Sequence, residues 1–274
     1  MTAPIGTSRV SRAGVSILLA CGVAWLSGCA PAVRPGGPLD EDSREVRYRQ
    51  SLSTRLERAR GVEADASLWI KPTEGEALPG MTARLLLGQP DAFRVRVESL
   101  FGTAIDMAVR GDSVDAYVPS QRVGIAIASA GDSLGLEEPG RLVWRAASAA
   151  WDAPRDAWRG GELRDSVRVV RWTDGPDRIE LEVGRSGLPV SVRLRRGGGE
   201  VLVRYIRWSR VNGVDWPVRV AVTDGQQRVE VTWALERVRF RDRPGPDQLT
   251  VRIPEGAERM TGRDLLRVWE HLSK

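Results

Sequence analysis

Beyond Gly61 this 274-residue chain alternates apolar and polar residues with a period of two, again and again, almost to its end. Val62, Ala64, Ala66, Leu68 and Ile70 take turns with Glu63, Asp65, Ser67, Trp69 and Lys71 up to Pro72. A helix cannot use that pattern, because its faces repeat about every 3.6 residues; a strand with one face buried requires it. The alternation returns in Met81–Leu87, Phe93–Val97, Ile105–Val109, Val114–Val118 and Val123–Ala128. It resumes at Glu162 in Val167/Val169, Ile179–Val183, Val190–Leu194, Val201–Trp208, Val218–Val222 and Val229–Leu235. Asp174-Gly175, Gly197-Gly198-Gly199 and Asp224-Gly225 read as hairpin turns. The triple glycine is no phosphate loop, since no Gly-Lys-Ser/Thr follows. Segments this short and evenly spaced predict one antiparallel meander of about 11–12 strands.

Two stretches flank or interrupt that period. Tyr48, Leu52, Leu56 and Ala59 recur at helical spacing between Asp40 and Gly61, with acids first and arginines last, as the helix dipole favours. Pro139 opens a second helix with Leu142, Val143, Ala146, Ala147, Ala150 and Trp151 on one side, and Pro154 closes it. A short C-terminal helix is predicted from Thr261, with Asp264 three residues on, through Leu265, Val268, Trp269 and Leu272. The fold class is mainly β with flanking helices, which have to cover the sheet's concave face.

The first 28 residues serve another purpose. Arg9 and Arg12 precede an apolar run from Ala13, and the ~17 residues to Cys29 fall short of the ~20 that span a bilayer. Leu26-Ser27-Gly28-Cys29 resembles the bacterial lipoprotein box, which implies cleavage between Gly28 and Cys29 and acylation of Cys29. The alternative is a plain secretory signal with an incidental cysteine. Pro31, Pro35, Gly36, Gly37 and Pro38 then make a tether, residues 29–43, ahead of a folded domain at 44–274. A flexible segment of ~14 residues reaches about 20 Å.

That reading uses up both cysteines, because Cys21 leaves with the signal, so the mature chain has neither a disulfide nor a cysteine metal site. His271 is the one histidine, which poorly suits a histidine base, a Ser-His pair or a histidine metal site; no cofactor is expected. The formal charge of +5 falls to +3 when Arg9 and Arg12 are removed with no acid. The remaining arginines are interleaved with Asp and Glu along the strands, so no nucleic-acid stripe is expected. Tryptophans such as Trp69, Trp144, Trp151, Trp158 and Trp233 could line a sugar- or lipid-binding groove, but the default expectation is packing with a polar edge satisfied.

The order of elements behind a lipoprotein box is similar to that of the lipoprotein-localisation (LolA/LolB) superfamily, an open antiparallel β half-barrel covered by helices. Glu98-Ser99-Leu100-Phe101-Gly102-Thr103-Ala104 resembles its strand–loop–strand with an apolar tip. Leu134-Gly135-Leu136 with Leu142-Val143-Trp144 resembles its middle helix, and Pro217–Val229 its late hairpin. Around Gly111-Asp112-Ser113-Val114 the chain is also similar to an uncharacterised bacterial lipoprotein family of the same fold. The strand region after Trp158 is longer than usual, and Asp242–Lys274 extends past the family's usual end, able to cap the barrel or to form another surface.

The resemblance implies an outer-membrane lipoprotein facing the periplasm, membrane-attached through its N-terminal lipid. It would act as a monomer, receive acyl chains of lipoproteins or lipids, and work with a periplasmic LolA-like carrier. Ala30 after the cysteine is not the aspartate that the family's rules associate with inner-membrane retention. Leu100, Phe101 and Gly102 would form a membrane-contact loop; the other reading is a hairpin whose Phe101 folds back into the core. Alternation, with the middle helix, nominates Phe93, Val95, Val97, Ile105, Met107, Val109, Leu142, Val218, Val220, Val231 and Trp233 as lining of a hydrophobic cavity; the same residues could equally fill a core. The alternative function is a structural or regulatory half-barrel that binds a protein or an envelope polymer. An enzyme, such as a carboxylate-driven glycan hydrolase, would need a close acidic pair in a groove.

Overall fold

The structure is a computed structural model, and it describes residues 39–72, 79–100, 102–129, 138–197, 199–225 and 229–261. The signal segment, Cys29, Phe101, Leu134–Leu136 and the C-terminal helix read from Thr261 lie outside the described residues. Helix α1 spans Leu39–Arg58, so it takes in residues 39–43, which the tether reading had included.

The first wing of the sheet comprises β1 (Gly61–Pro72), β2 (Met81–Gly88), β3 (Ala92–Ser99), β4 (Gly102–Arg110), β5 (Ser113–Val118) and β6 (Val123–Ile127). Helices α2 (Pro139–Ser148) and α3 (Arg155–Arg159) follow. The second wing comprises β7 (Glu162–Arg164), β8 (Val167–Asp174), β9 (Asp177–Val183), β10 (Pro189–Arg196), β11 (Gly199–Val211), β12 (Val214–Asp224) and β13 (Val229–Arg241). A short β14 (Glu258–Met260) ends the described chain. All belong to one 14-stranded sheet in the order β14-β6-β5-β4-β3-β2-β1-β13-β12-β11-β10-β9-β8-β7, which does not close on itself. The first wing walks outward from β1; the chain then jumps to the far edge and walks back until β13 lies beside β1.

Antiparallel register sorts the side chains. Val62, Leu87, Phe93 and Val109 stand in one cross-strand row, as do Ala64, Leu85, Val95 and Met107. In the second wing Val170, Leu181, Val192, Val203 and Val222 form a matching row. These rows make the inner face, and most of their residues join one hydrophobic core with Tyr48 and Leu52 of α1, Trp144, Ala146 and Ala147 of α2, and Trp158 of α3. The outer face carries the polar alternates.

Two departures from the alternation have local causes. β11 and β12 are joined at Val211/Val214 by Asn212 (φ 48) and Gly213 (φ 80), a two-residue turn that extends both strands past the expected Val201–Trp208 and Val218–Val222. Pro217 sits inside β12, where it cannot donate to the ladder, and the register with β11 slips next to it. Helix α2 ends at Ser148, earlier than Pro154, because Ala149 turns into the left-handed region (φ 53) and Ala150 N–H bonds back to Arg145 O.

The C-terminal extension runs over the outer face of the first wing. Pro244 lies against Gly61 and Gly88, a 3-10 turn at Pro246–Leu249 follows, and Arg94 donates to Gln248 O at 2.8 Å. Leu249 and Val251 are buried there. Ile253 packs on Gly124, and β14 then pairs with the edge strand β6 in parallel. Under this strap Asp106 accepts from Arg94 at 2.7 and 2.9 Å and from Arg96 at 3.2 Å. Burial pushes its carboxyl up, but those hydrogen bonds outweigh it and hold the group below the ordinary carboxylate range.

Candidate functional site

The inner face has two ends. Where β1 begins, the hollow is filled. Trp151 and Trp216 are fully buried, the Trp144 and Trp216 rings lie 6.4 Å apart, and Phe240 meets Trp216 edge-on at 5.4 Å. Helix α1 and the extended segment after α2 are fastened together through alternate carbonyls. Arg55 donates to Ala149 O at 3.3 Å, Tyr48 to Trp151 O, and Arg49 to Ala153 O at 3.1 Å. Trp151 Nε1 in turn donates to the Tyr205 hydroxyl at 2.6 Å. Burial pushes both tyrosine hydroxyls far up, so they remain neutral donors and acceptors. Burial lowers the pKa of Arg55, whose guanidinium lies 5.2 Å over the Trp208 ring.

At the opposite end the same alternation continues with less above it. Leu68 pairs with Met81 and Trp233, and Ile70 with Val231, all on the inner face and all half-buried. Val222, Val201 and Trp172 continue that border across the second wing, also half-buried. Beyond it, Leu100 at the β3–β4 tip is 98 % exposed, next to Gly102, whose φ of +108 makes the turn.

Helix α2 crosses between the wings. Its start lies against the turns of the first wing: Gly140 N–H donates to Gly111 O at 3.0 Å, and a side chain at Gly140 would collide with Asp91 O. It packs on β3, β4 and β12, and Arg145 forms a 2.7 Å ion pair with Asp174, in the β8–β9 turn of the second wing. Arg141 approaches the same carboxylate at 3.7 Å.

The nominated cavity residues divide by depth. Val95, Val97, Val109, Val218 and Val220 are buried; Phe93, Met107, Leu142, Val231 and Trp233 are half-buried; Ile105 is 38 % exposed. Leu68, Ile70, Trp172, Val201 and Val222 share the accessible border but were not nominated. Their signal was present in the same alternation; what alternation lacks is any indication of which rows the helices leave uncovered. Among the described residues, no group of His, Cys, Asp and Glu could hold a metal ion. Many outer-face carboxylates are matched to arginines, as in Glu180 with Arg171 and Glu200 with Arg195.

An open antiparallel sheet whose hollow is filled at one end by helices is a half-barrel of the LolA/LolB-like kind, and this chain has that fold. No family model and no curated protein matches the sequence. Among solved structures it is similar to a LolA-superfamily protein from Nitrosomonas europaea, at 12 % identity over 75 % of this chain and 97 % of that one, with a TM-score of 0.50. A DUF1329-family protein from Desulfovibrio piger matches at 10 % identity over 77 % of this chain and 98 % of that one, TM-score 0.49. The Mycobacterium tuberculosis lipoprotein LppX matches at 12 % identity over 78 % and 99 %, TM-score 0.30.

Proposed function

We propose that this chain is an envelope lipoprotein, acylated at Cys29 and held at the outer membrane, whose half-barrel shelters acyl chains of a lipoprotein or lipid and gives them up to the membrane. The observation that carries this reading is the accessible apolar border of Ile70, Val222, Val231 and Trp233 beside a filled, helix-capped end. The border offers a place for chains to enter, and the filled end keeps the fold intact when they leave. Burying a chain of ~16 carbons is worth on the order of 12 kcal/mol at ~0.8 kcal/mol per methylene, before entropic costs. Release therefore needs an equally apolar destination, which a membrane supplies. Leu100, with Phe101 beside it, is the contact proposed for that hand-over, and a periplasmic carrier of the same fold is the proposed donor. No covalent step is required of the protein.

Native mass spectrometry of the purified full chain, with organic extraction of what travels with it, tests the reading. Acyl lipid or acylated peptide bound near one per chain is the expected result. A bare mass with no uptake of added acylated peptide overturns it and favours a half-barrel that binds a protein or polymer, to which the filled end is equally suited.

A further inference from the structure

The outer face of the second wing is built mostly as a lattice of opposite charges. Arg171 pairs with Glu180 and Glu162, Arg193 and Arg195 with Glu200, Arg204 with Glu230, and Arg210 with Asp215. One place breaks this lattice. Arg207 of β11 stands directly opposite Arg219 of β12. Like charges so placed repel. Arginines also face each other at Arg84/Arg96 and Arg178/Arg195, but there Arg84 reaches Asp65, Arg96 reaches Asp106 and Arg195 reaches Glu200. Among the described residues, neither Arg207 nor Arg219 has a carboxylate partner; Arg219 instead stacks 5.7 Å from the centre of the exposed Trp69 ring.

Apolar side chains surround this pair. The ladder slips between Tyr205 and Arg207, and again between Pro189 and Ser191. The extra residues of these bulges are Ile206, 53 % exposed, and Val190, 41 % exposed. Both line an outer-face groove of about 350 Å³ with Leu202, Arg193 and Arg204; its two carboxylates are already engaged, Glu180 by Arg171 and Glu182 by the Ser191 hydroxyl. Bulges re-aim side chains, and here two neighbouring strands each spend one on turning an apolar group toward solvent. The loop leading into β10 is held from the other side by Arg47 of α1, which donates to Arg185 O at 3.0 Å.

We propose that the patch of Arg207, Arg219, Trp69, Ile206 and Val190 is a docking face for an anionic phospholipid surface. Lipid phosphates would relieve the repulsion between the two guanidinium groups, while Trp69 and Ile206 would sit among the upper acyl segments, as aromatic and aliphatic residues do at bilayer interfaces. An acidic protein would complement the arginines but not the outward aliphatics. Docking itself needs neither the anchor nor an acyl cavity.

The test uses the full chain with Cys29→Ser, so that no acyl group contributes, and the same chain with Arg207→Gln and Arg219→Gln. Flotation on phosphatidylcholine vesicles is compared with flotation on vesicles that also contain phosphatidylglycerol. The expected result is a roughly thirtyfold loss of partitioning to the anionic vesicles in the double variant, with the neutral vesicles unaffected. Ile206→Ala should lower binding to both. Thermal unfolding of the double variant should stay level or rise slightly as the repulsion is removed, and acylated-peptide uptake should stay at the parent level, which separates this idea from the cavity. Equal flotation of parent and double variant on anionic vesicles overturns the proposal. So does release of the parent by millimolar inorganic phosphate at constant ionic strength, which would indicate a small-anion site instead of a membrane face.

Discussion

The two ends of the inner face are made from the same strands and the same alternation, yet one is core and the other is border. Val62 and Ile70 both lie in β1 and both point inward; Val62 is buried beneath the helical cap, whereas Ile70 keeps contact with solvent. The difference comes from residues 149–153, which Arg55, Tyr48 and Arg49 pin over the filled end, whereas among the described residues α2 is tied toward the other end only where Arg145 and Arg141 reach Asp174. In such a fold, access to the hollow is decided by where the connecting segment lies, and much less by the strands.

Substitutions can break or sharpen this contrast. The largest effect is expected for Trp151→Ala, which should cost about 3–5 kcal/mol in urea unfolding, because the ring is fully buried. Asp106→Ala, on the outer face away from both ends, should cost about 1–3 kcal/mol by leaving Arg94 half-buried without its partner. Asp106 also predicts a pH effect. Its folded carboxyl titrates below the unfolded value of about 3.9, so its contribution is complete above that value and is lost as pH falls through the folded pKa. Acid titration of stability should therefore be steeper for the parent than for Asp106→Asn.

At the accessible end, Ile70→Ser with Val231→Ser should weaken acylated-peptide binding about tenfold, while stability changes by under about 1 kcal/mol. If that pair instead destabilises as Trp151→Ala does and leaves uptake unchanged, the two ends are alike and the contrast fails. The smallest effect is expected for Asp174→Asn, which frees Arg145 and Arg141. Stability should fall by less than about 1 kcal/mol, and stopped-flow uptake of a fluorescent acyl probe should quicken as α2 loses its tie to the second wing.

Much of this architecture was legible before any coordinates. The strands of the first wing fall where the alternation of Val62–Ile70, Met81–Leu87 and Phe93–Val97 placed them, because a half-buried strand imposes that pattern at every position. The β11–β12 turn was not read, although Asn212-Gly213 is a strong hairpin signal; Trp208-Ser209-Arg210 and Pro217 interrupt the alternation on either side of it. The end of α2 had no signal, since a non-glycine residue in the left-handed region is held there by a side chain 94 positions away, Arg55. The accessible border was equally hidden, because periodicity gives the face of a residue and not what lies above it. The strap from Asp242 was read as a cap for the barrel or as another surface; its packing on Gly88 and Gly124 depends on contacts far apart in sequence.

That strap, together with β13, has a consequence for biogenesis. As the chain emerges, the first wing can assemble early, but with both of its border strands bare. β1 waits for β13 at Val229–Arg241, and β6 waits for β14 at Glu258–Met260, so each seal is made long after the strand it covers. Until β13 and β14 have been made, the first wing is thus a ribbon with two adhesive edges, open to pairing with any passing strand. It needs either an escort or a delay in folding until Met260 has been made, and a chain cut short before Val229 would be less a smaller version of this fold than a seed for aggregates.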